Sequence, residues 1–162
     1  MATISVPLGQ EDRKPQHSLP SFGDFLRWTV DHKIIGIQYM VTAFIFFIIA
    51  GAMAMSICWE LLTPDLDFMA SGTASNSLLT IHGTAMIFLF VVPMFAGFGN
   101  YLVPLQLGAK DMAFPWLNAL AFWMIPPAGI MLLLGYFIGQ AEAGWTAYPP
   151  LSTLFSMDGQ TM

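Results

Sequence analysis

The chain has 162 residues, of which 56% are hydrophobic and 9% charged, with a mean hydropathy of +0.66; soluble domains carry roughly 25% charged residues, so an ordinary soluble domain is excluded. The formal net charge is −5, from 10 acidic and 5 basic side chains, and with no basic cluster to neutralise phosphates a nucleic-acid partner is excluded as well. Three stretches free of Asp, Glu, Lys and Arg, from Ile34 to Trp59, Phe68 to Ala109 and Met112 to Ala141, each exceed the ~20 residues that cross a hydrocarbon core. The expected fold is an all-α membrane protein with three transmembrane helices.

Residues 1–33 form a polar segment carrying Glu11, Asp12, Arg13, Lys14, Asp24, Arg27, Asp31 and Lys33. It has neither the apolar core and cleavage site of a signal peptide nor the acid-poor composition of a transit peptide, which points to a bacterial membrane. All five basic residues, Arg13, Lys14, Arg27, Lys33 and Lys110, precede the first span or lie between the second and third. The positive-inside rule puts both segments, and the N-terminus, on the cytoplasmic side. Opposite them stand only acids: Glu60, Asp65 and Asp67 after the first span, Glu142 and Asp158 after the third.

The first span is expected over about 34–58, and its Gly51-Ala52-Met53-Ala54 run offers small residues for close helix packing. Cys58 is the only cysteine, so no internal disulfide forms. A Ser/Gly/Thr-rich loop leads to a second span over about 76–103. His82 is the only histidine in this charge-free run, some six residues or ~9 Å from the helix start, near the outer face. An imidazole at membrane depth is costly unless it ligates a metal, relays protons or bonds a neighbouring helix. Gly83 permits close approach, and Met86, Phe88 and Phe90 supply an apolar wall, a setting that suits a planar iron cofactor needing an axial nitrogen. Residue types alone leave ligand, relay and helix contact open.

The inner end of the second span and the link beyond it bring Asn100, Gln106, Lys110, Asp111 and Asn118, all able to hydrogen-bond water. A carboxylate at a cytoplasmic mouth with amides behind it can gather protons into a water chain. Asp111 can equally cap the third helix, where an acid favours the positive end of the helix dipole. Gly97-Phe98-Gly99 lacks the strand-turn-helix setting of a phosphate loop. The third span is expected over about 116–140, kinked by Pro126-Pro127 and therefore inside a packed bundle. Residues 153–162 are expected as a short outer-side tail.

Five blocks in order carry a resemblance: Asp31-His32-Lys33-Ile34-Ile35-Gly36-Ile37-Gln38-Tyr39; Ile81-His82-Gly83-Thr84-Ala85-Met86-Ile87-Phe88; Gly97-Phe98-Gly99-Asn100-Tyr101-Leu102-Val103-Pro104-Leu105-Gln106-Leu107-Gly108-Ala109; Asp111-Met112-Ala113-Phe114-Pro115; and Gly144-Trp145-Thr146-Ala147-Tyr148-Pro149-Pro150-Leu151-Ser152. Over about 31–152 the chain resembles the N-terminal part of subunit I of the heme-copper oxygen reductases, the family of the cytochrome c oxidases. The resemblance implies the first three helices of a twelve-helix bundle, with 34–152 a partial subunit I domain. It implies that His82 is one of two axial ligands of a low-spin heme, its partner histidine lying downstream. It also implies a proton-uptake channel that begins at Asp111 and passes Asn100 and Asn118.

The same resemblance implies an oxidoreductase that reduces O2 to water and translocates protons, with subunits II and III as partners, cytochrome c as donor through subunit II, and surrounding membrane lipid. The high-spin heme and the copper belong to later helices, so the 162-residue piece is expected to be a fragment inactive by itself. A bacterial inner membrane, and in a cyanobacterium also the thylakoid, is the implied location. Departures from the pattern bear on detail. Cys58 stands where the family has an arginine that contacts the formyl group of heme a, which leaves heme a and heme b both open. Glu60 matches a ligand of a structural cation, while Asp65 replaces a glycine ligand. Lys110 and Trp116 replace a proline and an arginine beside the channel mouth. Ile49 and Met53 stand where quinol-oxidising members can carry an Arg/Asp pair, which favours cytochrome c over the quinol alternative. Nitric oxide reductases share the heme histidine but lack the channel pattern. A free-standing three-helix assembly or interaction protein is the alternative from another class.

Overall fold

A computed structural model of the chain describes residues 22–62, 64, 69, 71–138 and 141–153. The expected polar segment up to 21, Asp65, Asp67 and the tail from 154 lie outside the described residues. Every regular element among the described residues is helical. A 3-10 turn, Phe22–Leu26, precedes α1, His32–Glu60; the second span is one rod made of α2, Gly72–Thr84, a π-helical stretch, Ala85–Val91, and α3, Val92–Leu107; α4 covers Pro115–Ile138. All three rods are long and apolar enough to cross a membrane, the count expected from the charge-free runs.

Polar caps set the rod starts slightly ahead of the expected ones. Asp31 Oδ1 accepts the Lys33 N–H at 2.9 Å and Ser71 Oγ accepts the Ala74 N–H at 3.2 Å, each satisfying a donor that a helix start leaves open. The second span therefore begins at Gly72 instead of near 76 and reaches Leu107 instead of 103. Its added first turn is small or polar, Gly72 to Asn76, so His82 keeps its place in the apolar part although it sits a turn further along. Pro104 fits within the last turn, and Gly108 in the left-handed region (φ 67) ends the rod by donating to the Leu105 and Pro104 carbonyls. α4 starts at Pro115, whose fixed φ suits a first helical position, and runs unbroken through Pro126 and Pro127. The last two residues expected for it, 139 and 140, are outside the described ones.

α1 is the hub, packed against α2, the π stretch, α3 and α4. Its buried small residues are Gly36, Ala43 and Ala50, one every two turns. Gly36 and Gly97 meet backbone to backbone: a Cβ on Gly36 would lie 3.0 Å from the Gly97 carbonyl oxygen, and one on Gly97 2.9 Å from that of Gly36. Only glycine allows this approach. The Gly51-to-Ala54 run does not pack as expected, since Gly51 faces open space and Ala52 is exposed. Two apolar clusters fill the bundle: Ile35, Tyr39, Ala119 and Phe122 toward the start of α1, then Phe46, Ala50, Ala85 and Leu89 further along.

The π stretch has a register reason. From Gly36 to Ala50 α1 takes fourteen residue steps, whereas the facing residues on the second span, Gly97 and His82, are fifteen apart. Two antiparallel helices of equal rise would be offset by one residue, ~1.5 Å along the axis, between the two contacts. The extra residue is absorbed where the Val92 N–H bonds the Ile87 carbonyl, five residues back. Pro93, which has no N–H of its own, follows directly.

Candidate functional site

His82 stands half-buried on α2, just before the π stretch, and its Nδ1 lies 2.9 Å from the Ala50 carbonyl oxygen of α1. A carbonyl oxygen only accepts, so Nδ1 carries the proton and the Nε2 lone pair is left over. A main-chain carbonyl on the remote N–H is the common support of a metal-bound imidazole: it fixes tautomer and ring plane and raises ligand basicity. Of the readings open at the sequence level, helix contact is thus met at one nitrogen while ligation remains available at the other. The donor set fits an axial ligand to a heme iron. Ala85 and Leu89 are buried behind it against Phe46 and Ala50, with Met86 packed on them.

Gly83 does permit a close approach. A Cβ there would lie 3.2 Å from Cδ1 of Trp145, so the indole lies against this position. Thr80, buried one turn earlier, accepts the Gly144 N–H at 3.0 Å and donates to the Asn76 carbonyl at 2.9 Å. Thr80 was not singled out in the sequence, and Trp145 only as part of the Gly144-to-Ser152 block, because their contacts form only when the segment after α4 folds back onto α2.

At the other end of the bundle Asp111 meets His32. His32 Nδ1 lies 3.4 Å from Asp111 Oδ1 and 3.9 Å from Asp31 Oδ1, an ion pair whenever the imidazole is protonated. Asp111 Oδ1 also accepts the Met112 N–H at 2.8 Å. Asp111 does not cap α4, which starts four residues later at Pro115, where the Asn118 N–H bonds the Phe114 carbonyl. His32 is 3% exposed, and its Nε2 finds no hydrogen-bond partner among the described residues. Asn100, also buried, gives its Nδ2 to the Ala96 carbonyl at 2.9 Å, while its Oδ1 and the Asn118 Nδ2 have no partner among the described residues. No hydrogen bond joins Asp111, Asn100 and Asn118 directly among the described residues. Their neighbours in sequence contact the start of α1: Tyr101, next to Asn100, touches Gly36, and Ala119, next to Asn118, packs on Ile35. A cleft of about 270 Å³, lined by Met112, Ala113, Phe114, Leu117, Asn118 and Ala121, opens beside them.

Glu60 ends α1 and is buried, its Oε2 accepting the Met69 N–H at 2.8 Å, so one oxygen of the expected cation ligand is engaged by Met69. Asp65 is outside the described residues. Among the described residues no three His, Cys, Asp or Glu side chains come together as a metal site. Cys58, two residues before Glu60, is exposed.

Known proteins match along the whole chain. A family profile described as "Cytochrome C and Quinol oxidase polypeptide I" covers residues 34–162. The chain is 54% identical to cytochrome c oxidase subunit 1 of Thermostichus vulcanus, over 100% of its own length and 30% of that protein. It is 48% identical to cytochrome c oxidase subunit 1 of a Synechocystis strain, over 97% of its length and 28% of the relative, and 47% identical to that of Alkalihalophilus pseudofirmus, over 77% and 20%. The chain thus spans under a third of the relatives it matches. An all-helical membrane bundle, a profile match over most of its residues and identities near one half across it mean that the chain belongs to the subunit I family of the cytochrome c and quinol oxidases.

Proposed function

We propose that this chain forms the opening three helices of the catalytic subunit of a terminal oxidase that takes electrons from cytochrome c, reduces O2 to water and translocates protons. The observation that carries this reading is the His82–Ala50 hydrogen bond, which leaves Nε2 as the only free nitrogen of an imidazole within a membrane span. A low-spin heme bound there supplies reversible one-electron transfer. The chain's part is to hold the iron through Nε2, to keep the Nδ1 proton on the Ala50 carbonyl, and to shield the site with Ala85, Met86 and Leu89. The second axial ligand, the high-spin heme and the copper come from the rest of the subunit. Cys58 leaves the low-spin group as heme a or heme b, and extraction of the heme decides between them.

Asp111 is the mouth of the proton path, with Asn100 and Asn118 along it. Support comes from the polar atoms of His32, Asn100 and Asn118 that lack partners among the described residues, since buried polar groups of this kind are satisfied by ordered water. The end of the bundle with Arg27, Lys33 and Lys110 faces the cytoplasm of a bacterial cell, and cytochrome c reaches the subunit through subunit II, with subunit III alongside. A cation at Glu60 would share the carboxylate that already holds Met69. The relatives' shared designation as cytochrome c oxidases favours cytochrome c over quinol. The test is His82→Ala in the full-length subunit: the six-coordinate low-spin heme spectrum is expected to vanish, and its survival would refute the assignment.

A further inference from the structure

The segment after α4 folds back beside His82. It returns across the end of the bundle, and the Gly144 N–H is fastened at 3.0 Å to Oγ1 of Thr80, a side chain almost wholly buried on α2. One residue later the Trp145 ring lies over Gly83, with its Cδ1 3.2 Å and its Cβ 3.5 Å from where a Gly83 Cβ would be. The ring also meets Phe88 edge-on, at 6.5 Å between centroids. Thr80, Gly83 and Phe88 flank His82 on both sides in sequence, so the segment grips α2 over the two turns that aim the imidazole. A helix backbone pressed this closely cannot turn about its axis without moving the indole.

The segment is itself held in a particular shape. Gly144 lies in the left-handed region at φ 74, and Ala147, which has a Cβ, also has a positive φ of 47, a conformation that residues other than glycine seldom adopt. The Ala147 N–H closes the turn on the Gly144 carbonyl at 3.2 Å, which carries Trp145 between the two unusual residues. Such backbone persists where surrounding contacts over-determine it, and here those contacts are Thr80 and Gly83. The imidazole is then fixed from two directions: its Nδ1 by α1 through Ala50, and its main chain by the segment that follows α4.

We infer that Trp145 is a positioning residue for His82, the indole pressed on Gly83 setting the orientation in which Nε2 is presented. This rests on the reading of His82 as a heme-iron ligand. The orientation of an axial imidazole tunes the electronic state of a low-spin iron, so a group that only holds it is expected to be visible in the iron's own signals. A residue serving stability alone would leave those signals where they were.

The test uses the complete oxidase carrying Trp145→Ala, Trp145→Phe or Thr80→Val, with low-spin heme followed by electron paramagnetic resonance and redox titration beside turnover. Trp145→Ala is expected to retain the heme but shift its midpoint potential and broaden its low-spin resonance, with turnover about tenfold lower, as for other supports of a metal ligand. Trp145→Phe keeps a ring over Gly83 and is expected to restore the parent resonance and potential. Thr80→Val releases Gly144 and is expected to shift both in the direction of Trp145→Ala, by less. Parent signals in Trp145→Ala, or equal shifts in the Ala and Phe variants, would overturn the proposal. If Trp145→Ala fails to assemble, Thr80→Val decides, unchanged signals being the refuting result. A low-spin resonance that persists in His82→Ala would instead refute the heme-ligand reading, an outcome no Trp145 variant can imitate.

Discussion

Asp111 shares its carboxylate between the Met112 N–H and the His32 imidazole, so the proposed proton-collecting group has an imidazole beside it whose other nitrogen is buried in the protein. Asp111→Asn removes the charge and is expected to slow proton uptake and to lower the proton-to-electron ratio in reconstituted vesicles. His32→Ala leaves the carboxylate in place and is expected to give a smaller loss in the same measurement; an unchanged rate in both variants would contradict the assigned path. His82 and Asp111 could be singled out in the sequence because His82 is the one histidine of a charge-free run and Asp111 lies in the short charged link between two such runs. His32 was not, although it sits in the quoted Asp31-to-Tyr39 block. It stands among charged residues, and only the return of the α3–α4 link buries it against Asp111. The contact of Gly83 with Trp145 could not be read for a similar reason: the two residues are 62 positions apart.

Between helices, close packing depends on single missing side chains. The Phe46 ring lies against Gly129 of α4, in the space that a Cβ at that position would fill. Gly129→Ala is expected to push α1 and α4 apart and cost about 1–3 kcal/mol as overpacking, read as a lowered midpoint in thermal unfolding of the detergent-solubilised oxidase. An unchanged midpoint would mean that the ring relaxes freely. The three spans were readable because charge-free length is a direct requirement of the bilayer, and their ends were off by a turn or less where Asp31 and Ser71 extend a helix through polar residues. The π stretch was not readable. It answers to a one-residue mismatch between two contact pairs on different helices, which no local pattern carries.

On the scale of the whole molecule the bundle is electrically lopsided. Arg27, Lys33 and Lys110 lie at the end where α1 begins, while Glu60 and Glu142 lie at the other with no Lys or Arg among the described residues. A periplasmic phosphatase reporter fused after Pro64 is therefore expected to be active and one fused after Lys110 silent, with the reverse pattern for a fluorescent reporter that matures only in the cytoplasm. The opposite result would refute the proposed direction of proton uptake. The tether on His82 has one further consequence. Its acceptor is the main-chain oxygen of Ala50, and no substitution can delete a main-chain oxygen. Sequence change at position 50 can act only through bulk, by displacing α1 within the Phe46, Ala85 and Leu89 cluster. The hydrogen bond on Nδ1 is thus insulated from the chemistry of the side chain at position 50 and answers to the distance between the two helices there.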